Sequence, residues 1–261
     1  MVSKFQLGLN YLYYFFTAST KYDVHSPSIF DFTVNTIDAR KQKPAYHAIE
    51  LIRSQMLKSN ALIEVLPLGA KLNQAIQKIE LKKLTKNTSK SSKYAELLER
   101  ICAYVKPTYA IEIGSSVGIS TLYQSVGIKN GFLISLEGNP KSIEIAKFNA
   151  EKIGLQNIQF IEGLFEDTLP EVIRQLSHID YVFFDGNHSL EATLQYFEWC
   201  LPKVHDNTIF IFDDIRWSDE MNLAWQKIKN HPKITASIDL FFLGIVFFRP
   251  NQAKEHFTLR Y

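Results

Sequence analysis

A chain of 261 residues can bury a full core, either as one large domain or as a core with an appendage. Its 46% hydrophobic and 21% charged content excludes wholesale disorder, and its two cysteines exclude a disulfide framework or a CxxC metal site. The net charge of +2 hides an asymmetry. Residues 1–93 hold 14 Lys+Arg against 6 Asp+Glu, a net +8, while the remainder holds 15 against 21, a net −6. A basic first third could hold an acidic partner such as nucleic acid. However, Lys78, Lys82, Lys83, Lys86, Lys90 and Lys93 form no compact run interleaved with aromatics, so they read as a solvated face. Cys102 and Cys200 sit in apolar helical patterns, which makes a reducing cytoplasm the expected location.

Taken in chain order, LGLNYLYYFFTAST (7–20) is apolar, but it is shorter than the roughly 20 residues that span a bilayer and no A-x-A cleavage site follows. It reads as an aromatic helix that packs on the protein or on a second subunit. HSPSIFDFTVNTI (25–37) predicts a helix with Ser26 as N-cap and Pro27 at the first helical position. Ala45–Met56 and Leu72–Leu84 are further helical candidates, so residues 1–84 are expected to be a helical appendage with little strand character. The polar stretch TKNTSKSSK (85–93) reads as the boundary loop, with Thr88–Lys93 able to fold over a ligand as a lid. Tyr94–Val105 then predicts a helix with Leu97, Leu98, Ile101 and Val105 on one face.

From residue 109 strands and helices alternate. Strands are expected at 109–113, 132–137, 158–162, 179–185 and 208–212, and helices start near Ser120, Pro140, Thr168, Ser189 and Ser218. Strands that are apolar throughout mark a parallel sheet covered on both faces. The run ITASIDLFFLGIVFF (234–248) holds two strand-like pieces joined too tightly for a helical crossover, so they must be antiparallel. Residues 85–261 are therefore expected to be an α/β domain, a doubly wound, mostly parallel sheet closed by a C-terminal antiparallel hairpin.

A parallel sheet puts all its strand C-termini on one edge, where ligands bind. The segments YAIEIGSSVGIST (109–121), FLISLEGNP (132–140), IDYVFFDGNHS (179–189) and IFIFDDIRW (209–217) would bring Glu112, Glu137, Asp185, Asp213 and Asp214 around one cleft. Gly114 allows a tight turn, and Gly118 would let a ligand approach the next helix N-terminus. A dinucleotide site calls for G-x-G-x-x-G, whereas here the spacing is G-x-x-x-G behind an acid. Glu112 would repel a pyrophosphate and welcome an ammonium group, which points to a cationic, phosphate-free cofactor. Glu137, 23 residues beyond Gly114, is placed to accept hydrogen bonds from ribose hydroxyls.

The order E-x-G-x-x-x-G-x-S-T, SLEGNP, IEGLFEDTLPE (161–171), DYVFFDGNHSLEATLQYFE (180–198) and a strand ending in Asp-Asp resembles the class I S-adenosylmethionine-dependent methyltransferases. Among these it is similar to the metal-dependent O-methyltransferases with a D-G-[DN]-H-S turn, over about residues 85–248. The resemblance implies a seven-stranded Rossmann-like sheet. It places Gly114, Ser115 and Gly118 on the methionine part of the cofactor with Glu112 near its amino group. Glu137 would hold the ribose, and Gly163 to Phe165 would lie along the adenine, with Leu164 where many relatives carry a polar side chain. Asp185, also in reach of the cofactor, would join Asp213 and Asp214 as oxygen ligands of Mg²⁺. His188, three residues after Asp185, would act as general base, and Arg216 and Trp217 would line the acceptor pocket. The implied activity is methyl transfer to a hydroxyl of a small molecule, assisted by Mg²⁺. A nucleic-acid methyltransferase would call for a D/N-P-P-Y-like turn or a Pro-Cys nucleophile, and neither occurs. A cofactor-binding module without turnover is the other alternative, and the intact acids and His188 count against it. The remaining histidines are scattered and read as structural or exposed.

Overall fold

In the computed structural model, which describes residues 4–40, 42–66, 76–250 and 253–261, the chain enters as the expected aromatic helix. Helix α1 (Lys4–Thr17) and the residue after it turn Tyr11, Tyr14 and Ala18 onto Phe241 and Phe242. The buried Tyr14 hydroxyl donates to the Leu259 carbonyl and accepts from the Tyr261 amide, so the helix is tied to the far end of the chain. Its other face leaves Phe5, Leu12, Tyr13 and Phe16 exposed. Helix α2 (Pro27–Phe32) starts on Pro27, where the missing N–H costs nothing, and runs on as a π-turn over Thr33–Ile37. Ile29 and Phe32 enter the core that covers the sheet. Helix α3 (Pro44–Leu57) buries Tyr46, Ile49, Ile52 and Met56.

The next stretch corrects the sequence reading. Strands β1 (Leu62–Val65) and β2 (Gln77–Glu80) pair antiparallel, with Ile63 opposite Ile79 and Glu64 opposite Lys78. A helix is expected over Leu72–Leu84, and residues 72–75 of that expectation lie outside the described residues. Matched apolar and opposite-charge cross-strand pairs favour the hairpin over a helix at these positions. Helix α4 (Leu81–Thr88) begins only after it and extends into the expected loop. The Thr85 and Thr88 hydroxyls bond back to the Leu81 and Leu84 carbonyls, an arrangement that polar sequence can satisfy while staying helical. Only Ser89–Ser91 remains as a strap before helix α5 (Ser92–Val105).

From there the alternation is as expected: β3 (Tyr109–Ile113), α6 (Ile119–Gly127), β4 (Phe132–Glu137), α7 (Pro140–Lys152), β5 (Ile158–Glu162), α8 (Phe165–Gln175), β6 (Tyr181–Phe184), α9 (Leu190–Cys200), β7 (Ile209–Phe212), α10 (Asp219–Lys229), β8 (Ala236–Asp239) and β9 (Gly244–Phe247). A last strand, β10 (Glu255–Thr258), pairs parallel with β8, so the sheet has eight strands in the order β10-β8-β9-β7-β6-β3-β4-β5. It is one strand wider than expected, because the half-exposed alternation of four residues at the chain end carries little signal. Strands β3 to β7 are parallel, while β9 runs antiparallel to both β7 and β8 and forms the predicted hairpin.

Period-two alternation divides the strands between two covering layers. Ile111, Ile113, Val182, Phe184, Phe210 and Phe212 face α8, α9 and α10. Ala110, Tyr181, Phe183, Ile209 and Ile211 face α2 and α5. The chain crosses from β5 back to β6 beside β3, which makes a switch point at the strand C-termini between β3 and β6.

Tyr14→Phe removes both the donor to Leu259 and the acceptor for Tyr261, so it should cost about 1–2 kcal/mol in urea unfolding and speed tryptic cleavage after Lys21. Unchanged stability and cleavage would show that α1 is not anchored by this hydroxyl.

Candidate active site

The switch point opens into a cavity of about 690 Å³, within the range of small-molecule sites. It is walled by Gly114, Ser116, Glu137 and Asn139 on one side and by Leu164, Phe165 and Glu166 on another. Asp185, His188, Asp213 and Asp214 lie at its floor, and Trp217, Phe242 and Tyr94 give it an apolar wall. Val65 and Leu66 from the hairpin, and Leu84 to Ser91 in part, close it from the N-terminal segment.

The glycine turn after β3 is built by steric demand. Gly114 has φ of 96°, and a Cβ there would come within 2.5 Å of the Asp185 carbonyl, so only glycine lets β3 and β6 end side by side. Gly118 was expected to admit a ligand and instead admits a helix. Its φ is 88°, and a Cβ would meet Ala146 of α7 at 2.8 Å, with no part of Gly118 on the cavity wall. Ser115 is buried away from the cavity, and the half-buried Ser116 takes the cavity-facing position at the turn. Gly163 likewise lies behind Leu164 and Phe165, which do reach the cavity.

Glu112 does not face the cavity. It is fully buried and accepts from Ser120 Oγ (2.7 Å), Gln124 Nε2 (2.6 Å), Thr121 Oγ1 (2.5 Å) and Ser135 Oγ (2.8 Å). Alternation points it into the α6 layer, so the expected contact with an ammonium is replaced by a hydroxyl cage. Burial pushes its pKa up to about 7 against the pull of those donors, and the Asp185 charge adds to the rise. Glu137 stays at the cavity wall. Its carboxylate accepts from the amides of Ser116 (2.7 Å) and Asn139 (2.8 Å), and burial still raises its pKa above the usual range.

Asp185 and Asp213 end adjacent strands, and His188 Nε2 lies 3.5 Å from Asp185 Oδ1. Ligand atoms of Asp185, His188 and Asp213 lie within 4.8 Å of one another, a donor set that suits a small dication. Asp214, expected as a ligand, lines the cavity with φ of 52° but stands outside this group, and His188 takes its place. Arg216, expected to line an acceptor pocket, is not on the cavity wall. It grips Asp239 at 2.5 and 2.7 Å and the Phe241 carbonyl, a tie between the end of β7 and the hairpin. Trp217 remains on the wall.

Sequence reasoning missed Lys90. Grouped with the solvated lysines, it lies instead under the strap, 3.3 Å from Asp185 Oδ1 and donating to Asp213 Oδ2. Its only local signal was its place in the segment expected as a lid, and Thr88 Oγ1 does meet Ser116 Oγ across the cavity mouth at 2.7 Å. Asn139, Glu166 and Asn187 also line the cavity unforeseen. At the opposite sheet edge His178 and His205 both reach Asp180 Oδ1, while Asp180 Oδ2 accepts from the Thr108 and Tyr109 amides. The Asn207 amide donates to His205 Nδ1, so this ring gives its Nε2 proton to Asp180 and ties strand starts together.

Residues 111–215 match the family described as a methyltransferase domain. The chain is similar to a catechol O-methyltransferase of Niastella koreensis, 29% identical over 126 residues, covering 47% of this chain and 55% of that one. A catechol O-methyltransferase of Mycobacterium tuberculosis is 24% identical over 127 residues, or 48% and 56% of the two chains. The chain thus spans about half the length of the curated relatives it matches. In fold it is similar to an O-methyltransferase of Bacillus cereus solved with S-adenosylhomocysteine, at TM-score 0.59 and 17% identity, over 84% of this chain and 97% of that one. It is also similar to the O-methyltransferase TomG of Streptomyces achromogenes, solved with S-adenosylmethionine, at TM-score 0.59 and 14% identity, over 84% and 94%.

A carboxyl whose folded pKa lies above its unfolded value holds its proton better when folded. The stability Glu112 supplies is therefore complete below pH 4.5 and lost as the pH rises toward 7. Glu112→Gln should remove roughly 3 kcal/mol of that pH-dependent loss, read by urea unfolding at the two ends of the window. Identical pH dependence in both proteins would contradict the shift. The strand ends that build this cavity lie within or beside residues 111–215, the segment that matches the methyltransferase-domain family, on a fold similar to that of the two solved O-methyltransferases.

Proposed function

We propose that the chain is an S-adenosylmethionine-dependent O-methyltransferase that acts on a hydroxyl of a small molecule. The observation that carries this reading is one cavity uniting the Gly114 turn, Glu137, Leu164–Phe165 and the Asp185–His188–Asp213 group. Glu137 would hold the ribose hydroxyls, because its carboxylate is fixed by backbone amides and keeps lone pairs toward the cavity. Leu164 and Phe165 would flank the adenine, with Phe165 steadied edge-on by Tyr196 at 6.1 Å. The Ser116 turn would take the methionine end. Bound there, S-adenosylmethionine supplies an electrophilic methyl group that passes to the acceptor oxygen and leaves S-adenosylhomocysteine.

His188 would take the hydroxyl proton at Nε2, and Asp185, whose Oδ1 lies 3.5 Å from that nitrogen, would stabilise the imidazolium that forms. Asp185 and Asp213 would hold a divalent ion such as Mg²⁺, which would supply positive charge that lowers the acceptor pKa. Trp217, Phe242, Val65 and Leu66 give one side of the cavity an apolar surface, which favours a flat or apolar acceptor body over an extended polymer. Among the described residues no helix is long and apolar enough to cross a membrane. A cytoplasmic location belongs to this proposal, as does a division into an appendage (1–84) and a catalytic domain (85–261). So does a second copy docked on the exposed face of α1.

Glu137→Ala should weaken S-adenosylhomocysteine binding by about 1.5–3 kcal/mol in calorimetry. A lower melting temperature with unchanged affinity would make it a structural cap. His188→Ala should slow transfer by about 10²–10⁴-fold, partly restored at higher pH where the acceptor ionises unaided. EDTA should suppress transfer and Mg²⁺ restore it, and full activity in the chelated protein would remove the ion from the account.

A further inference from the structure

The strap Ser89–Ser91 is the piece of chain that closes the cavity mouth, and it is held at three points. Thr88 Oγ1 meets Ser116 Oγ, Arg53 Nη1 of α3 donates to the Lys90 carbonyl, and Lys90 Nζ reaches the two carboxylates at the cavity floor. The last contact carries the charge. Lys90, Asp185 and Asp213 side chains are only 17%, 10% and 2% exposed, so this is a desolvated cluster. Two carboxylates that close in such surroundings repel each other unless a cation lies between them. Lys90 is that cation here, and it comes from the strap and not from the sheet.

The carboxylates it holds are two of the oxygen donors that would take a divalent ion. Lys90 Nζ already contacts one oxygen of each carboxylate, Asp185 Oδ1 and Asp213 Oδ2, so a dication drawn to the same pair meets an ammonium that repels it. Lysine suits the exchange. It is a compact charge on a flexible four-carbon stem, it has no acceptor, and it can swing out to water.

We propose that Lys90 is the built-in counter-ion of the Asp185–Asp213 pair, and that a divalent cation binds by displacing it and so releases the strap from the cavity mouth. The strap is then a gate operated by ion occupancy. It is latched while the ammonium neutralises the acids, and it is free to admit an acceptor once a dication does so. This rests on the reading of Asp185 and Asp213 as an ion site. It adds a residue outside the sheet domain's motifs that sets how tightly the ion is held.

The test uses the full chain with Mn²⁺, whose unbound form is counted by electron paramagnetic resonance. Lys90→Met keeps the stem and removes the competitor, so it should bind Mn²⁺ at least tenfold more tightly than the unmodified chain, whereas Lys90→Arg should bind it no more tightly. In the unmodified chain, saturating Mn²⁺ should also speed tryptic cleavage after Lys90. Equal Mn²⁺ affinity in Lys90→Met and the unmodified chain overturns the proposal, as does a strap whose cleavage is unchanged by saturating Mn²⁺, or absence of Mn²⁺ binding in both proteins. Should Lys90→Met fail to fold, the cleavage measurement and Lys90→Arg decide. Calorimetry with S-adenosylhomocysteine in ion-free buffer separates the two levels. Loss of that binding in the unmodified chain removes the functional reading, whereas intact binding with no effect of Lys90 on the ion removes only the gate.

Discussion

Four carboxylates at one edge of a buried sheet set the terms for the rest of this molecule. Glu112, Glu137, Asp185 and Asp213 all end or nearly end parallel strands, and each is 10% exposed or less. The Asp185 charge contributes to the raised pKa of both glutamates, and Lys90 ties Asp185 to Asp213. Burying a charge without compensation costs several kcal/mol, and the fold answers differently at each position. Glu112 sits among three hydroxyls and an amide and drifts toward neutrality. Glu137 is held by backbone amides at two turns, and Asp185 and Asp213 share the ammonium of Lys90.

These three answers account for much of the surrounding architecture. The hydroxyl cage requires Ser120 and Thr121 in the first turn of α6 and Ser135 in β4, which explains polar residues in an otherwise apolar interior. The amides that hold Glu137 come from the Gly114–Gly118 turn and from the cap of α7. Loss of the positive-φ glycines would thus disturb the placement of Glu137, the proposed ribose ligand, through the backbone. Lys90 is delivered by the junction of α4 and α5, so the N-terminal third is part of the cavity as well as of its shell. The basic excess of that third is spent in part on neutralising acids at the sheet edge.

Much of this was legible in the sequence. Apolar strands with acids at their ends, separated by capped helices, gave the parallel sheet and the edge at which ligands bind. The hairpin at 234–248 followed from the short link alone. What escaped depended on direction and on distance in sequence. The side of β3 on which Glu112 lies is a matter of alternation against two covered faces, and both faces were apolar, so the pattern could not choose. Gly118 looked like a ligand-approach glycine because turn spacing says nothing about the helix α7 packed on it. Lys90 looked solvated because its partners lie 95 and 123 residues further along. Arg216 sat beside two catalytic-looking acids, yet its bidentate partner Asp239 was on a strand whose neighbour could not be read locally.

The measurement that tests the central claim most directly is a structure of the full chain crystallised with S-adenosylhomocysteine. The account predicts the nucleoside between Glu137 and Leu164–Phe165, the ribose hydroxyls on the Glu137 carboxylate, and the sulfur facing the Asp185–His188–Asp213 group. A ligand bound elsewhere, or seated here with Glu137 turned away from the ribose, would contradict it.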